Sequence, residues 1–481
     1  MSGHDLYTAQ PPLRRRRPNV EFETAAAAGR RRGPVRRIYF EAALVGRRKA
    51  RNVGAALLLL AGSWLWSAER RASQQAALVS VRVGESLQNI ERDALHKDGQ
   101  RRQTLLAALD QEDLAALVCF TPENVRLVSG YWPVMAASMA WLTRDGALHI
   151  VVPEDELHLA EASADGAHFL PYKPETLDSI STPAEALEKT IARVAEWLSL
   201  RGGRLGVLLG ESEQTQSYLS GSHFHCALVP MLQRSFPDVS LVGADALLPR
   251  MNSVKTEQEL ERMRHLCRLA KTGFDAARQA IAHGRREDEI AADIQHAYGP
   301  VAQEGFERGD GYFFCMSGPN STTAAAAFAR TRQRVVESGD LMIHANTVGD
   351  GFWSDMTRTF TAGEPDDLEQ RMRRAIGEAR SAALAVIRPG AQASAIDAAA
   401  REVLAGHGFG KEFRHAVGHG VGFAAADPRA LPRLHPKSPD VIETGMTFNI
   451  EPAIYIEGRG GMRNCDVVVC TSSGAEVLTD F

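Results

Sequence analysis

A histidine and an aspartate, His344 and Asp355, lie eleven residues apart in the segment GDLMIHANTVGDGFWSDMTRTF. The residues between them predict a β-hairpin with a two-residue turn at Gly349–Asp350. That turn would place His344 directly opposite Asp355 on neighbouring strands, with Cβ atoms about 4.5–5.5 Å apart. An imidazole and a carboxylate at this separation suit two ligands of one metal ion. An exposed cross-strand pair without a function is the alternative.

Two further histidines, His415 and His419, lie four positions apart in the segment RHAVGHGVGF. In an extended strand this even spacing puts both side chains on one face. The flanking glycines Gly418, Gly420 and Gly422 disfavour a helix and allow backbone or ligand to approach closely. The pair is therefore a candidate for catalysis or metal binding, and a pair of solvated histidines in a loop is the alternative.

Two segments near the C-terminus add a carboxylate, a guanidinium and a thiol. In GMTFNIEP, Thr447, Asn449 and Glu451 alternate with apolar residues, which predicts one polar face of a strand. A glutamate on such a face is paired or is a ligand if it is buried, whereas a solvated face needs neither. In GMRNCDVVVC, Arg463 and Cys465 share a face. A cysteine alone is most often a small buried apolar residue.

Together with SGPNS at 317–321, these segments resemble the pita-bread metallopeptidases: aminopeptidase P, prolidase, methionine aminopeptidase and their non-peptidase relative creatinase. The order and spacing of the motifs match over about 248–477. Residues 101–245, which include PENVRLVSGYW, are similar to the creatinase-type N-terminal domain. The resemblance implies an α+β protein, with a smaller α/β domain followed by a pita-bread domain whose site lies on its sheet.

The family's two-metal site takes two aspartates, one histidine and two glutamates. The resemblance carries these positions onto His344, Asp355, His419, Glu451 and Cys465. His344 stands where the family has an aspartate, and Cys465 stands where it has the glutamate that bridges both ions. The resemblance also implies a catalytic role for His415 and a substrate-binding role for Arg463.

These departures change the metal chemistry that we expect. Asp355 and Glu451 supply two negative charges, or three if Cys465 is a thiolate, where the family uses four carboxylates for two divalent ions. We therefore expect one divalent ion, with zinc or iron favoured over manganese because imidazole and thiolate ligands prefer them. The alternative is no metal, as in creatinase, where histidine acid–base chemistry carries the reaction.

The sequence thus predicts a metal-assisted hydrolase of C–N bonds that resembles an Xaa-Pro aminopeptidase or dipeptidase and acts on a small peptide or small amide. Two further histidines of the family fall on about Ala325 and on Ala426, which counts against ordinary peptidase activity. One alternative is a metal-independent, creatinase-like hydrolase or lyase acting on a small amide or amidine. Another is a catalytically lapsed homologue that binds peptides or partners. The resemblance also implies a homodimer.

The elements that must position these residues follow from the patterning. Strands alternate with helices over 101–245, which predicts an α/β layer. Over 248–477, long helices and strands predict an α+β domain. Its first helix has Thr256 as N-cap and Glu259 three residues later, which together form a capping box. Strands are predicted at 334–345 and 352–360, and a later helix is predicted to begin at an N-cap Ser394.

Composition excludes several classes of protein. The chain has 481 residues, 44% of them hydrophobic, and a net charge of −4, which suits two or three folded domains and excludes a largely disordered chain. The sequence has no run of 18 apolar residues, which excludes a polytopic membrane protein. Its six cysteines are scattered and form no CxxC pair, so a reducing, cytoplasmic location is predicted.

The first 80 residues differ from the rest of the chain. Residues 1–52 carry 13 lysines and arginines against four acidic residues, a charge of +9, and are predicted to be disordered. The remaining −13 argues against nucleic-acid binding by the folded domains. An apolar run at 53–67 is short for a membrane span. It predicts at most weak membrane association, with an N-terminal membrane anchor as the alternative location.

Overall fold

A computed structural model describes residues 99–134, 138–164, 166–173, 183–198, 200, 202–209, 225–282, 284–326, 331–337, 339–423 and 430–481. Every described residue belongs to a single compact unit of the chain. The predicted leader at 1–80, its apolar run and Ala426 lie outside the described residues. Within those ranges, no helix is both long enough and apolar enough to cross a membrane.

The described part of the chain contains ten α-helices and two 3₁₀ segments. The helices are α1 (Gly99–Gln111), α2 (Pro122–Ser129), α3 (Leu157–Ser163), α4 (Pro183–Leu198), α5 (His225–Ser235), α6 (Leu247–Ser253), α7 (Glu257–Ala280), α8 (Glu287–Tyr298), α9 (Asp367–Val386) and α10 (Ala393–Gly406). The 3₁₀ segments are Glu154–Glu156 and Gly318–Ala326.

Fourteen strands accompany these helices in the same described ranges. They are β1 (Ala116–Cys119), β2 (Met139–Thr143), β3 (Leu148–Pro153), β4 (His168–Tyr172), β5 (Arg204–Val207), β6 (Ser240–Gly243), β7 (Gly309–Ser317), β8 (Gly339–Gly349), β9 (Phe352–Ala362), β10 (Thr447–Ile450), β11 (Ala453–Ile456), β12 (Gly460–Arg463), β13 (Asp466–Thr471) and β14 (Gly474–Val477).

The N-terminal part is built on one six-stranded sheet in the order β4-β3-β2-β1-β5-β6. Its centre is antiparallel, because β2 pairs in this sense with both β1 and β3, while the outer pairs are parallel. The two strands at the centre of this sheet, β1 and β2, are fully buried along their whole length. The alternation of strands and helices agrees with the pattern predicted for 101–245.

The C-terminal part carries the site on three small sheets, ordered β7-β8-β9, β10-β13-β14 and β11-β12. Main-chain bridges join them. Thr357 of β9 pairs with Cys465, just before β13, and Gly420 pairs with Phe448 of β10. Because these bridges bring three distant chain segments together, the motifs that the sequence singled out converge on one region.

The helix boundaries agree with the sequence at one N-terminus and differ at another. Both hydrogen bonds of the predicted capping box at Thr256 and Glu259 are present, which confirms it. The helix predicted from an N-cap at Ser394 instead has Gln392 as its N-cap. Gln392 is held extended by a bridge to Val441, so the helix begins at Ala393, two residues earlier than predicted.

The β8–β9 hairpin forms, but its turn differs from the prediction. Asp350 and Gly351, not Gly349–Asp350, are the turn residues, and both have positive φ, 46° and 82°, as a type I′ turn requires. His344 therefore lies opposite Thr357, and Asp355 lies opposite Asn346. The predicted direct pairing of His344 with Asp355 is wrong by two residues. A two-residue shift keeps both side chains on the same face, because strand side chains alternate.

Candidate active site

Five of the predicted site residues, all polar, come together on the C-terminal sheets. They are His344 on β8, Asp355 on β9, His419 in the glycine-rich segment, Glu451 after β10 and Arg463 at the end of β12. His419 Nε2 lies 3.4 Å from Asp355 Oδ2 and 4.0 Å from Glu451 Oε1. His344 Nδ1 lies 3.6 Å from Asp355 Oδ1, and Arg463 Nη1 lies 3.5 Å from Glu451 Oε2. Sequence positions more than a hundred residues apart thus form one polar cluster.

Glycine-rich sequence explains how His419 reaches this cluster. A Cβ atom at Gly418 would lie 1.9 Å from the carbonyl oxygen of Asn449, so only glycine lets the two segments approach. The main chains then bond, because Asn449 N–H donates to the His419 carbonyl at 3.0 Å. The side-chain oxygen of Asn449 accepts from His419 N–H at 2.8 Å. The close backbone approach predicted from the glycines is therefore present.

Asp355 is buried, with 5% of its surface exposed, and its two oxygens differ. Oδ2 accepts a hydrogen bond from Asn449 Nδ2 at 3.3 Å. Oδ1 has no hydrogen-bond partner among the described residues. Burial opposes the charge of this carboxylate, but the neighbouring His344, His419 and Arg463 side chains hold its pKa below the usual value. One oxygen of an ionised buried carboxylate is thus left open.

His344 is a neutral, fully engaged imidazole. Burial and the charge of Arg463 lower its pKa to about 4, although Asp355 acts in the opposite direction. Its Nδ1 accepts a hydrogen bond from Arg463 Nη2 at 2.8 Å. Arg463 Nε donates to Thr357 Oγ1 at 3.0 Å and so is fixed against this strand. His344 Nδ1 therefore accepts a hydrogen bond from the guanidinium and offers no free lone pair.

The pKa of His419 is shifted in the opposite direction to that of His344. Burial would lower its pKa, but the hydrogen bond with Asp355 and the charges of Glu451 and Asp355 outweigh burial and raise it to about 9. Its Nδ1 donates to the Gly420 carbonyl at 3.0 Å, which leaves Nε2 directed at the carboxylates. Its side chain is 28% exposed, more than those of Asp355 and Glu451, so a small molecule would reach the cluster here.

Cys465 lies beside the cluster as a thiol. Its Sγ donates to the main-chain carbonyl of Asp355 at 3.4 Å. Burial, together with the charges of Asp355 and Glu451, raises its pKa well above that of an ordinary cysteine. A protonated thiol that already donates a hydrogen bond is a poor substitute for a bridging carboxylate.

His415 is hydrogen-bonded to Tyr455, and the charge of Glu451 also acts on it. Its Nδ1 donates to the Ala416 carbonyl at 2.7 Å, so its Nε2 lone pair accepts from the Tyr455 hydroxyl at 3.0 Å. Burial lowers its pKa, which keeps the ring neutral. Arg401 fixes the segment by donating to the His415 carbonyl at 2.9 Å and is itself held by Asp397.

Comparison with known proteins identifies the fold. Residues 261–472 match the model of metallopeptidase family M24, and residues 101–254 match that of the creatinase/prolidase N-terminal domain. This C-terminal part of the chain belongs to metallopeptidase family M24. The fold class predicted from the sequence, a pita-bread domain preceded by a smaller creatinase-type N-terminal domain, is thereby confirmed.

Individual M24 relatives resemble the chain moderately. It is 31% identical over 236 residues to an Xaa-Pro dipeptidase of Pyrococcus furiosus, an alignment that covers 49% of this chain and 65% of the relative. It is 34% identical to a probable dipeptidase, PepE, of Mycobacterium tuberculosis, over 49% of this chain and 60% of the relative. The matched region thus spans less than two thirds of the length of each of these relatives.

Solved structures cover more of the chain. The dipeptidase PepE of Mycobacterium ulcerans is 26% identical, with a TM-score of 0.62 over 79% of this chain and 95% of that one. The prolidase of Pyrococcus furiosus is 24% identical, also with a TM-score of 0.62, over 78% and 99% of the two chains.

The M24 resemblance implies metal ions, but the residues present do not fit them. Among the described residues, no group of three or more His, Cys, Asp or Glu side chains is arranged to hold a metal ion. At the two positions that depart from the family, His344 accepts from Arg463 and Cys465 donates to a carbonyl, so neither offers a free donor. The expected single ion therefore finds no prepared site in this part of the chain.

Sequence reasoning assigned no role to three residues that shape the site. Asn449, Thr357 and Tyr455 bond to Asp355, Arg463 and His415 respectively. Asn449 did carry a signal, since it lies on the polar face predicted for its strand. That face proves to be buried rather than solvated, because every residue of β10 is buried.

Proposed function

We propose that this M24 protein is a hydrolase of C–N bonds in small peptides or small amides, with its reaction centre at Asp355, His419 and Glu451. The observation that supports this is the convergence of two buried carboxylates on one imidazole, with a buried guanidinium alongside. Relatives named Xaa-Pro dipeptidase favour a short peptide as substrate. The expected cytoplasmic location and homodimer stay predictions.

Glu451 is the candidate general base. It is 9% exposed, and its two oxygens face His419 and Arg463, so its orientation is fixed. In the proposed reaction it takes a proton from water as the water oxygen attacks the amide carbon. It then gives that proton to the departing nitrogen as the C–N bond breaks, so that protons balance over the cycle.

Arg463 is the candidate for stabilising the negative charge that develops on the substrate oxygen. Burial alone would lower its pKa, but Tyr455 and Glu451 raise it above that of an ordinary arginine, so its charge is permanent. A fixed positive charge in a buried site acts more strongly than one in water. His415, held by Tyr455 at one side, would orient the substrate.

The test is whether the full chain hydrolyses Xaa-Pro dipeptides or small amides. The free amine that hydrolysis releases is measured. Glu451→Gln keeps the shape of the side chain but removes the base, and we expect a loss of about 10²-fold or more in kcat/KM. Glu443→Gln is the matched control, because the side chain of Glu443 is half-exposed and pairs with Arg250. Full activity in Glu451→Gln would contradict the proposal. Peptide binding without turnover in the natural protein would favour a lapsed, binding-only homologue.

A further inference from the structure

We infer that this site works without a metal ion, because Arg463 supplies the positive charge opposite Glu451 and uses the only lone pair that His344 can offer. This goes beyond the proposed hydrolysis, since it concerns what the natural protein binds rather than what it cleaves. It rests on hydrogen-bond geometry and on one permanent charge.

The number of lone pairs on the side chain at position 344 limits what it can bind. A carboxylate has about four lone-pair positions and can accept from an arginine while it also binds a metal, whereas a neutral imidazole has one. His344 Nδ1 accepts from Arg463 Nη2 at 2.8 Å, so the ring proton must lie on Nε2. Protonation of the ring would leave no lone pair, so neither form of His344 can bind an ion without losing its contact with Arg463.

Asn346 accounts for the proton on Nε2. Its side-chain amide lies 3.3 Å from His344 Nε2. Its Oδ1 is buried without a hydrogen-bond partner among the described residues. Turning this amide by 180°, an assignment made from the hydrogen-bond network, lets Oδ1 accept the Nε2 proton and satisfies both groups. Both nitrogens of His344 are then occupied by protein.

The side-chain amide of Asn449 is close to both Asp355 and His419. Its Oδ1 accepts from His419 N–H at 2.8 Å, which fixes the orientation of the amide. Its Nδ2 therefore points at Asp355 Oδ2 and His419 Nε2, at 3.3 Å and 3.2 Å. An ion placed between these two side chains would meet an N–H group rather than a lone pair.

The net charge of the cluster also disfavours a divalent ion. Asp355 and Glu451 carry two negative charges, and Arg463 balances one of them from within 3.5 Å of Glu451. At most one negative charge therefore remains, which is too little to neutralise two divalent ions, and a divalent ion at Glu451 would lie beside a buried guanidinium. Like charges at this separation repel more strongly in a buried site than in water.

The experiment measures ion retention in the full chain. Protein is dialysed against Zn²⁺ or Mn²⁺ and then against metal-free buffer, and its metal content is measured by elemental analysis. We expect the natural chain to retain neither ion in stoichiometric amount, and neither ion to raise its melting temperature. Arg463→Met should bind Zn²⁺ at least about tenfold more tightly, because it removes a positive charge and the charged donor at His344 Nδ1, which leaves there only the neutral hydroxyl of Thr357 at 3.0 Å. Arg264→Met is the matched control, since Arg264 pairs with Glu476 outside the site.

A second variant restores both carboxylates, His344→Asp with Cys465→Glu, and should retain at least one ion per chain. If circular dichroism shows that it does not fold, Arg463→Met decides alone. Retention of an ion by the natural chain, abolished in Asp355→Asn, would overturn the inference. Failure of both folded variants to gain ions would overturn the roles of Arg463 and His344. Ion retention is measured without turnover, so this result stands apart from success or failure of the hydrolysis assay.

Discussion

Two buried carboxylates in the C-terminal part, Glu287 and Asp355, differ in how their oxygens are hydrogen-bonded. Glu287 is 0% exposed and begins helix α8. Its Oε1 accepts from the main-chain N–H and the hydroxyl of Ser317, both at 2.6 Å. Its Oε2 accepts from Asn320 Nδ2 at 2.7 Å and from Arg332 N–H at 3.1 Å. Both oxygens are thus fully paired.

Asp355 is 5% exposed, almost as buried, yet only one of its oxygens has a hydrogen-bond partner among the described residues. A buried polar atom without a partner costs about 1–3 kcal/mol, so evolution rarely leaves one for structural reasons alone. The contrast separates two uses of a buried charge. Glu287 fastens the SGPNS segment to its helix, while Asp355 keeps an oxygen available for chemistry.

Substitution of Asp355 tests whether this carboxylate serves activity rather than stability. Asp355→Asn keeps its size but removes the charge that faces His419, and we expect kcat/KM to fall by about 10²–10³-fold. The free energy of unfolding should change by less than about 1 kcal/mol, because the contacts of Asp355 with Asn449 and His419 are long, at 3.3 Å and 3.4 Å. Steady-state kinetics and denaturant unfolding measure the two effects, with Asp275→Asn, at a half-exposed aspartate paired with Lys271, as control. A loss of stability with activity retained would reverse the roles assigned to the two carboxylates.

The matched change in the other carboxylate, Glu287→Gln, should do the opposite. It places an amide N–H group against one of the donor pairs that now face an oxygen, and we expect a loss of about 3 kcal/mol in the free energy of unfolding. Denaturant unfolding measures it. Glu257→Gln at the start of helix α7 is the control, because that side chain is 75% exposed. A variant as stable as the natural protein would show that the four hydrogen bonds add little.

The sequence predicted which faces these residues occupy better than it predicted their partners. Strand alternation put His344 and Asp355 on one face, and that survived a two-residue error in the turn because parity was unchanged. The error came from preferring Gly349–Asp350 over Asp350–Gly351, although an Asp-Gly pair is among the strongest signals for this turn. Local chemistry, such as the capping box at Thr256, was also readable.

Partners from distant segments could not be predicted from the residues alone. The bond between Arg463 and His344 joins residues 119 positions apart, and no periodicity relates them. The orientation of Asn449 depends on the backbone of His419, which reaches it only because Gly418 permits the approach. Alternation could predict a polar residue at 449. It could not predict that the amide would fill the space between two expected metal ligands.

Two buried cations extend the comparison. Arg463 lies among acidic groups, which raise its pKa above the ordinary value although burial opposes them. Lys255, 6% exposed, lies among other cations. Burial, joined by the charges of Arg101 and Arg126, lowers its pKa to about 7, although Glu259 acts the other way. Its Nζ donates to the main-chain carbonyl of Asn252. One cation is therefore stabilised by its neighbours, while the other is a net cost to folding when charged.

The pH dependence of stability should reveal that cost at Lys255. In the unfolded chain this lysine keeps its proton up to its ordinary pKa of 10.5, whereas in the folded protein it loses it above about pH 7. Between these values the unfolded state binds more protons, so the free energy of unfolding rises with pH, and the penalty is fully present below pH 7. We expect the natural protein to gain about 2 kcal/mol relative to Lys255→Met between pH 7 and pH 9. The difference between paired denaturant unfolding curves isolates this lysine, because every other group that titrates in the window is present in both proteins. A difference that stays constant with pH would mean that Lys255 keeps its proton when buried, and the contrast with Arg463 would then disappear.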